Sequence, residues 1–368
     1  MAELQVTDED IRAAYRLVLG READPAGFAH FAEKVAKMSL STSQLFREFI
    51  ACKEFSFSAE TCRKVDLGGV FVVVNALEPE LGNHIAKHGS WEPHIAKLIR
   101  SNLAPGHVFV DIGANVGVMS FHAATVVGPS GKFISFEPDE DNARNYLRGV
   151  LENNFESFVR LYPLALSAKA SLFSLEGGSN TYLTMPKAGQ RLTQSVRGDE
   201  ILANEERIDF IKIDIEGHEP FALEGLDETI RRHKPLILCE FNPRCLRGHI
   251  GIPPLDFATQ IFGLTDEITV IEFDDHKTEI THPRALVEMW QLRNQEITER
   301  GILPDGLLHF DLLFRAGKKK AADVGVFPHA NRAQMSGVPG HERFRGRTNS
   351  HHTRCAGEMA FFCDLGYQ

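Results

Sequence analysis

The stretch VFVDIGANVGVMSF at 108–121, followed by KFISFEPD at 132–139, decides the fold. The first run is apolar through Val110, turns at Asp111 and the glycines, and resumes at helical spacing with Val118, Phe121 and Ala124. This predicts a strand, a tight turn, a helix, and a second strand that closes on Glu137. Gly113 and Gly117 fall where the backbone must approach a ligand closely. Glu137 comes 24 residues after Gly113, at a strand end from which a carboxylate accepts hydrogen bonds from a ribose diol. A nucleoside-bearing cofactor at the carboxyl edge of a parallel sheet is the expectation.

The spacing also selects the cofactor class. A dinucleotide fingerprint, G-x-G-x-x-G, counted from Gly113 would require glycine at Asn115 and Val118, and neither is glycine. The turn D-I-G-A-N-V-G suits a cofactor without phosphate, of which S-adenosyl-L-methionine is the common one. Asp111, Gly113, Ala114, Asn115, Gly117 and Glu137 are the candidate cofactor contacts.

Further runs extend the sheet. Residues 142–154 read as a helix, 158–163 as a strand, and 165–175 as another strand before a polar loop. Continuous apolar strands are expected at 208–214 and 235–241, as in parallel sheets, with a helix at 219–232 between them. Runs 268–273 and 309–314 supply the last strands, the latter at the sheet edge. The fold class is therefore α/β, a doubly wound seven-stranded sheet whose site lies outside the strand carboxyl ends. That rim gathers Asp111, Glu137, Asp214 and Glu240. The segment 89–106 reads as a helix entering the first strand, with Glu92 before Pro93 at its start. There a carboxylate is favoured by the helix dipole or stands beside the cofactor.

Residues 1–60 read as a separate all-helical module. Thr7 caps a first helix with Ile11, Tyr15, Val18 and Leu19 on one side, and 19–27 stops it. A second helix presents Phe28, Phe31 and Val35. A third, capped within 39–43, presents Leu45, Phe46, Phe49 and Ile50, with Phe55 closing the segment. Tyr15, Leu19, Gly20, Arg21, Asp24 and Gly27 give the pattern Y-x-x-x-L-G-R-x-x-D-x-x-G, which resembles a small bacterial helical module of unassigned function. An Arg21–Asp24 ion pair is expected to pin its turn. Residues 61–84 are a connector whose run at 68–75 is β-like, and 85–317 hold the sheet domain. Over 318–354 there are eight Lys/Arg against two Asp/Glu, so 318–368 is expected to be a basic, disordered tail.

Composition bounds the partners. A net charge of −10 over 368 residues argues against nucleic acid as a general partner. No apolar stretch reaches the length of a membrane span, and the start of the chain is acidic where a secretory signal would be basic, so a cytoplasmic location is expected. Six scattered cysteines without a C-x-x-C pair read as reduced thiols, and zinc at His351, His352, Cys355 and Cys363 is disfavoured by irregular spacing.

The most distinctive motif is FIKIDIEGHEPFALEGL at 210–226. Strand alternation puts Lys212, Asp214 and Glu216 opposite Ile211, Ile213 and Ile215, and charges in such a strand are costly unless paired or bound. Together Trp91-Glu92-Pro93, Asp111 through Gly117, Phe136-Glu137-Pro138, the run Lys212 to Glu219, and Glu240 make the region 89–313 similar to the FkbM-type methyltransferase family. The resemblance implies a class I fold and methyl transfer from S-adenosyl-L-methionine, usually to a hydroxyl of a sugar, glycan or secondary metabolite. Candidate catalytic residues are Asp214 first, then Glu216 and His218, with Lys212 beside them. Candidate cofactor contacts are those above with Glu92. Mg²⁺ held by Asp214, Glu240 and Asn242 is a less favoured variant, and no metal ligand is assigned. N-methylation of a small molecule or peptide, and a non-enzymatic glycan-pathway binding role, stay open as alternatives. A protein partner through the helical module stays open as well.

Overall fold

The computed structural model describes residues 6–52, 62–178 and 180–317. Phe55 and the whole of 318–368, with its basic run and His/Cys group, lie outside the described residues. Strands in chain order are β1 (Cys62–Asp66), β2 (Phe71–Asn75), β3 (Val108–Ile112), β4 (Lys132–Phe136), β5 (Val159–Tyr162), β6 (Ala165–Leu166) and β7 (Ser171–Glu176). They continue with β8 (Tyr182–Thr184), β9 (Leu192–Val196), β10 (Phe210–Ile213), β11 (Leu236–Phe241), β12 (Ile268–Ile271), β13 (Lys277–Ile280) and β14 (Phe310–Arg315).

The main sheet has eight strands in the order β13-β12-β14-β11-β10-β3-β4-β5. β5, β4, β3, β10 and β11 run parallel; β14 pairs antiparallel with both β11 and β12, so β12 runs with the parallel set, and β13 pairs antiparallel with β12. The chain steps outward from β3 through β4 to β5, then returns to place β10 on the other side of β3. The order thus reverses between β3 and β10, the point where an open α/β sheet forms its ligand crevice. Central strands are apolar on both faces because helices cover both. Val110, Ile112, Ile211 and Ile213 enter one core, and Phe109, Phe133 and Phe210 enter the other.

The expected α/β sheet is present, with eight strands where seven were expected and three further differences in detail. β14 is interior, between β11 and β12, and not at the edge. Phe310, Leu312 and Phe314 are buried along it, while the hairpin strand β13, with exposed Lys277 and Glu279, takes the solvent edge. The run 165–175 does not join the main sheet; β6 and β7 pair with β9 and β8 in a second, four-stranded sheet. The helix expected at 219–232 is two helices, Glu219–Gly225 and Asp227–His233, joined at Leu226.

The β-like run before the domain forms the β1–β2 hairpin. The N-terminal helices are Asp8–Ala14, continued by a π-helical turn Tyr15–Leu19, then Pro25–Met38 and Thr42–Ile50. Thr7 with Asp10, and Ser41 with Gln44, form capping boxes at the first and third. Asp24 caps the second through Gly27 N–H and meets Arg21 at 3.2 Å, so this pair orders the turn. Phe31 and Phe49 stack at 3.9 Å in the centre. Leu147 and Leu151 of helix Glu140–Glu152 pack on the same cluster, so part of this core is supplied by the sheet domain.

Candidate active site

One cleft opens at the reversal point, enclosing about 1080 Å³, part of it open to solvent. Its walls come from the ends of β3, β4, β10, β11 and β14, from the loop at Asn180 and Thr181, and from Glu92.

The glycine turn explains the first wall. Gly113 has φ +82°, and a Cβ there would stand 1.9 Å from the carbonyl oxygen of Asp214, so only glycine fits between the ends of β3 and β10. Gly113 and Ala114 N–H both donate to Phe136 O, and Asp214 N–H donates to Ile112 O, which locks three strand ends together. Asn115 is left-handed at φ 50°, and its N–H donates to Glu137 Oε2 at 2.8 Å. Glu137 Oε1 accepts from Asp139 N–H at 2.8 Å. Burial pushes the Glu137 carboxyl up to about 8. Glu137 therefore fixes the turn, with Asn142 as a further side-chain partner, and retains acceptor capacity beside the cleft.

Asp111 is fully buried at the end of β3. Ser120 Oγ donates to its Oδ2 at 2.6 Å; behind Ser120 lie Ser135 at 3.1 Å and, beyond that, Tyr146 at 2.7 Å from Ser135. Asp111 Oδ1 has no hydrogen-bond partner among the described residues. A buried carboxylate oxygen left unpaired is costly unless a ligand donor meets it. Burial raises this carboxyl, and Lys212 opposes the rise.

Lys212 lies beside Asp111 in the β3–β10 register, and its Nζ donates to Asp214 Oδ2 at 2.9 Å. Burial would lower the lysine, but Asp214 and Asp111 more than offset it, so Lys212 stays charged. Asp214 keeps about a third of its side chain exposed to the cleft (36%). Glu216 follows in a left-handed conformation at φ 55° and also lines the cleft; burial and the charge of Asp214 push it up to about 8. The turn is pinned by Glu219, whose Oε1 accepts from Ile215 and Gly217 N–H.

His218 is not brought into the cleft, which corrects its placement among the catalytic candidates. Its ring is buried between Phe173 and Phe221, with Nε2 3.0 Å from Ser167 Oγ, and burial holds it down to about 4. The Mg²⁺ arrangement does not form either. Asn242 turns its oxygen to cap helix Pro243–His249 through Cys245 N–H and points its amide nitrogen at Glu240. Among the described residues no group of three or more His, Cys, Asp or Glu is placed to hold a metal ion.

Four cleft groups complete the far wall. Glu92 is the left-handed residue (φ 40°) before helix Pro93–Ser101 and makes no side-chain cap. Burial and Asp214 push it up to about 7. Glu240 and Asp311 are direct partners across β11 and β14, and His309 stands 4.0 Å from Glu92 and 3.8 Å from Glu240. His309 and Asp311 were not singled out from sequence. The signal was there: in HFDLLF the polar residues alternate with buried Phe310 and Leu312, the same pattern that marked Lys212 and Asp214.

An open sheet with a glycine turn, an acid closing the second strand, and charged strand ends around one crevice is the architecture of a class I methyltransferase. Residues 111–252 match the methyltransferase FkbM domain, and this match supports a methyltransferase that uses S-adenosylmethionine. No curated protein matches the chain in sequence. Among solved structures, the methyltransferase FkbM from Methylobacillus flagellatus is 16% identical, with 82% of this chain and 58% of that chain covered and a TM-score of 0.37. The O-methyltransferase TomG from Streptomyces achromogenes, in complex with SAM, is 13% identical, covering 61% and 79% at 0.36. The O-methyltransferase from Bacillus cereus, in complex with SAH, is 12% identical, covering 61% and 80% at 0.36. Among the described residues no helix is long and apolar enough to cross a membrane.

Proposed function

We propose that the protein transfers a methyl group from S-adenosyl-L-methionine to a hydroxyl of a sugar, glycan or related metabolite, in the cytoplasm. The observation that carries this reading is the unpartnered Asp111 Oδ1, buried beside the Gly113 turn in the same cleft as Glu137 and Asp214. Asp111 Oδ1 would accept from the ammonium at the cofactor's amino-acid end, and Gly113, Ala114, Asn115 and Gly117 would shape the turn around it. Glu137 uses its remaining lone pairs to accept from the ribose hydroxyls.

Bound there, the cofactor supplies an electrophilic methyl on a sulfonium, which leaves as a neutral thioether. The protein must align the acceptor oxygen, keep water out and take one proton. Asp214 takes that proton as the oxygen gains the methyl. Lys212 fixes Asp214 through Oδ2, and Asp214 lines the cleft. Glu216 and Glu92 border the same space and hold the acceptor by hydrogen bonds.

Incubating the purified chain with S-adenosylmethionine and fractionated cellular glycans tests this. Release of S-adenosylhomocysteine, matched by a gain of one methyl on a hydroxylated species by mass spectrometry, is expected. Methyl gain confined to nitrogen would overturn the hydroxyl assignment.

A further inference from the structure

The cleft carries more carboxyl groups than methyl transfer to a neutral alcohol needs. Glu92, Asp214, Glu216, Glu240 and Asp311 all line it, and among the described lining residues Lys212 is the single lysine or arginine, already paired to Asp214. His309 stands among them, but burial lowers its proton affinity and leaves it neutral near pH 7. Charge crowding alone would say little. The second observation is Glu240, only 5% exposed, whose Oε2 has no hydrogen-bond partner among the described residues while the residue lines the cleft. Its Oε1 is met by Asn242 at 3.3 Å, so the side chain is held in place with one oxygen open.

We propose that Glu240 and Asp311, with Glu92 and His309 beside them, form a subsite for a protonated amine on the acceptor, next to the hydroxyl that is methylated. The acceptor class is then an amino sugar or another amino alcohol. This rests on the methyltransferase reading above and narrows its substrate. A neutral polyol would satisfy Glu240 Oε2 but leave the neighbouring carboxyls held in their protonated forms, and an anionic acceptor would disfavour their ionisation further. An ammonium satisfies the open oxygen and offsets the neighbouring charge at once. Burial and mutual repulsion raise Glu240 and Asp311 well above ordinary carboxyl values, so a cation arriving there displaces protons.

The test is calorimetry on the full chain saturated with S-adenosylhomocysteine, titrated with D-glucosamine and D-galactosamine and with their N-acetyl forms. Buffers of different ionisation heat count the protons released. We expect at least one amino form to bind about ten-fold or more tightly than its N-acetyl counterpart, with net proton release. Asp311→Asn and, separately, Glu240→Gln should remove that preference while S-adenosylhomocysteine affinity stays within about two-fold. Because the preference is read on the unaltered chain first, poor folding of either variant leaves the outcome readable. Equal or tighter binding of the neutral sugars, or no binding of amino sugars to a chain that does bind S-adenosylhomocysteine, overturns the amine subsite alone. Failure to bind S-adenosylhomocysteine sinks the methyltransferase site and this proposal with it.

Discussion

The two ends of the cleft are built differently. The Gly113 end is local: Asp111, Gly113, Asn115 and Glu137 lie within 27 residues on two adjacent parallel strands and the turn after the first, and the Glu137 carboxyl is tied to the N–H groups of Asn115 and Asp139. The Glu240 end is assembled from the helix start at Glu92, β11 and β14, where His309 stands at about 4 Å from Glu92 and Glu240 and short hydrogen bonds are few. The first is tied into its own turn, whereas the second is a cluster of carboxyls with the open oxygen of Glu240 among them. Lys212 and Asp214 sit between them, where the strand order reverses.

That contrast breaks most sharply at Asp214. Asp214→Asn keeps the shape and loses the proton acceptor, so turnover should fall about 10²–10⁴-fold while cofactor affinity is nearly unchanged. Steady-state rates beside calorimetry read this, and a chelator should leave the parent rate unaltered. Near-parental turnover would move the base to Glu216.

Glu137→Ala should act at the other end. It removes contacts to Asn115 and Asp139 N–H as well as the ribose acceptor, and cofactor affinity should weaken about ten-fold or more. Restoration of most of the affinity by Glu137→Gln would show that turn geometry matters more than charge.

The crowded carboxyls also predict a pH dependence of the ligand-free chain. Glu92 and Glu219 are raised to about 7, Glu137 and Glu216 to about 8. A carboxyl raised in the folded state stabilises it fully below its ordinary value, and that contribution is lost as pH climbs through the raised value. His218 and His122, held down to about 4, act oppositely: their contribution is present above the ordinary histidine value of about 6.5 and lost toward pH 4. Between pH 6.5 and 8 the carboxyls dominate, so the melting temperature should fall across that window, and Glu216→Gln should flatten the fall. A melting temperature that rises with pH there would contradict the arrangement.

His218→Gln should have the smallest effect on chemistry. Its ring packs away from the cleft, so the rate should stay close to parental while stability drops by about 1–3 kcal/mol from the lost packing and the Ser167 contact. A large loss of rate in a chain of unchanged stability would put His218 back at the reaction.

What was legible in the sequence follows the same division. The glycine turn and Glu137 could be read because one βαβ unit encodes them at fixed spacing, and Lys212 and Asp214 because charge interrupts an apolar strand. His309 and Asp311 belong to an antiparallel return strand whose neighbours are fixed only by tertiary pairing, so their partnership with Glu240 had no local signature. His218 was misplaced for a related reason. Glu216 and Gly217 both adopt positive φ, and that double reversal swings the next side chain off the rim into the core near Phe173. Ser120, Ser135 and Tyr146 behind Asp111 gave no signal, since isolated hydroxyls in apolar runs do not reveal whom they meet.

The most direct measurement is calorimetric titration of the purified chain with S-adenosylmethionine and, in parallel, with NAD. The arrangement at Asp111, Gly113 and Glu137 predicts saturable one-to-one binding of S-adenosylmethionine and no measurable heat with NAD; binding of NAD, or none of S-adenosylmethionine by a folded chain, would contradict it.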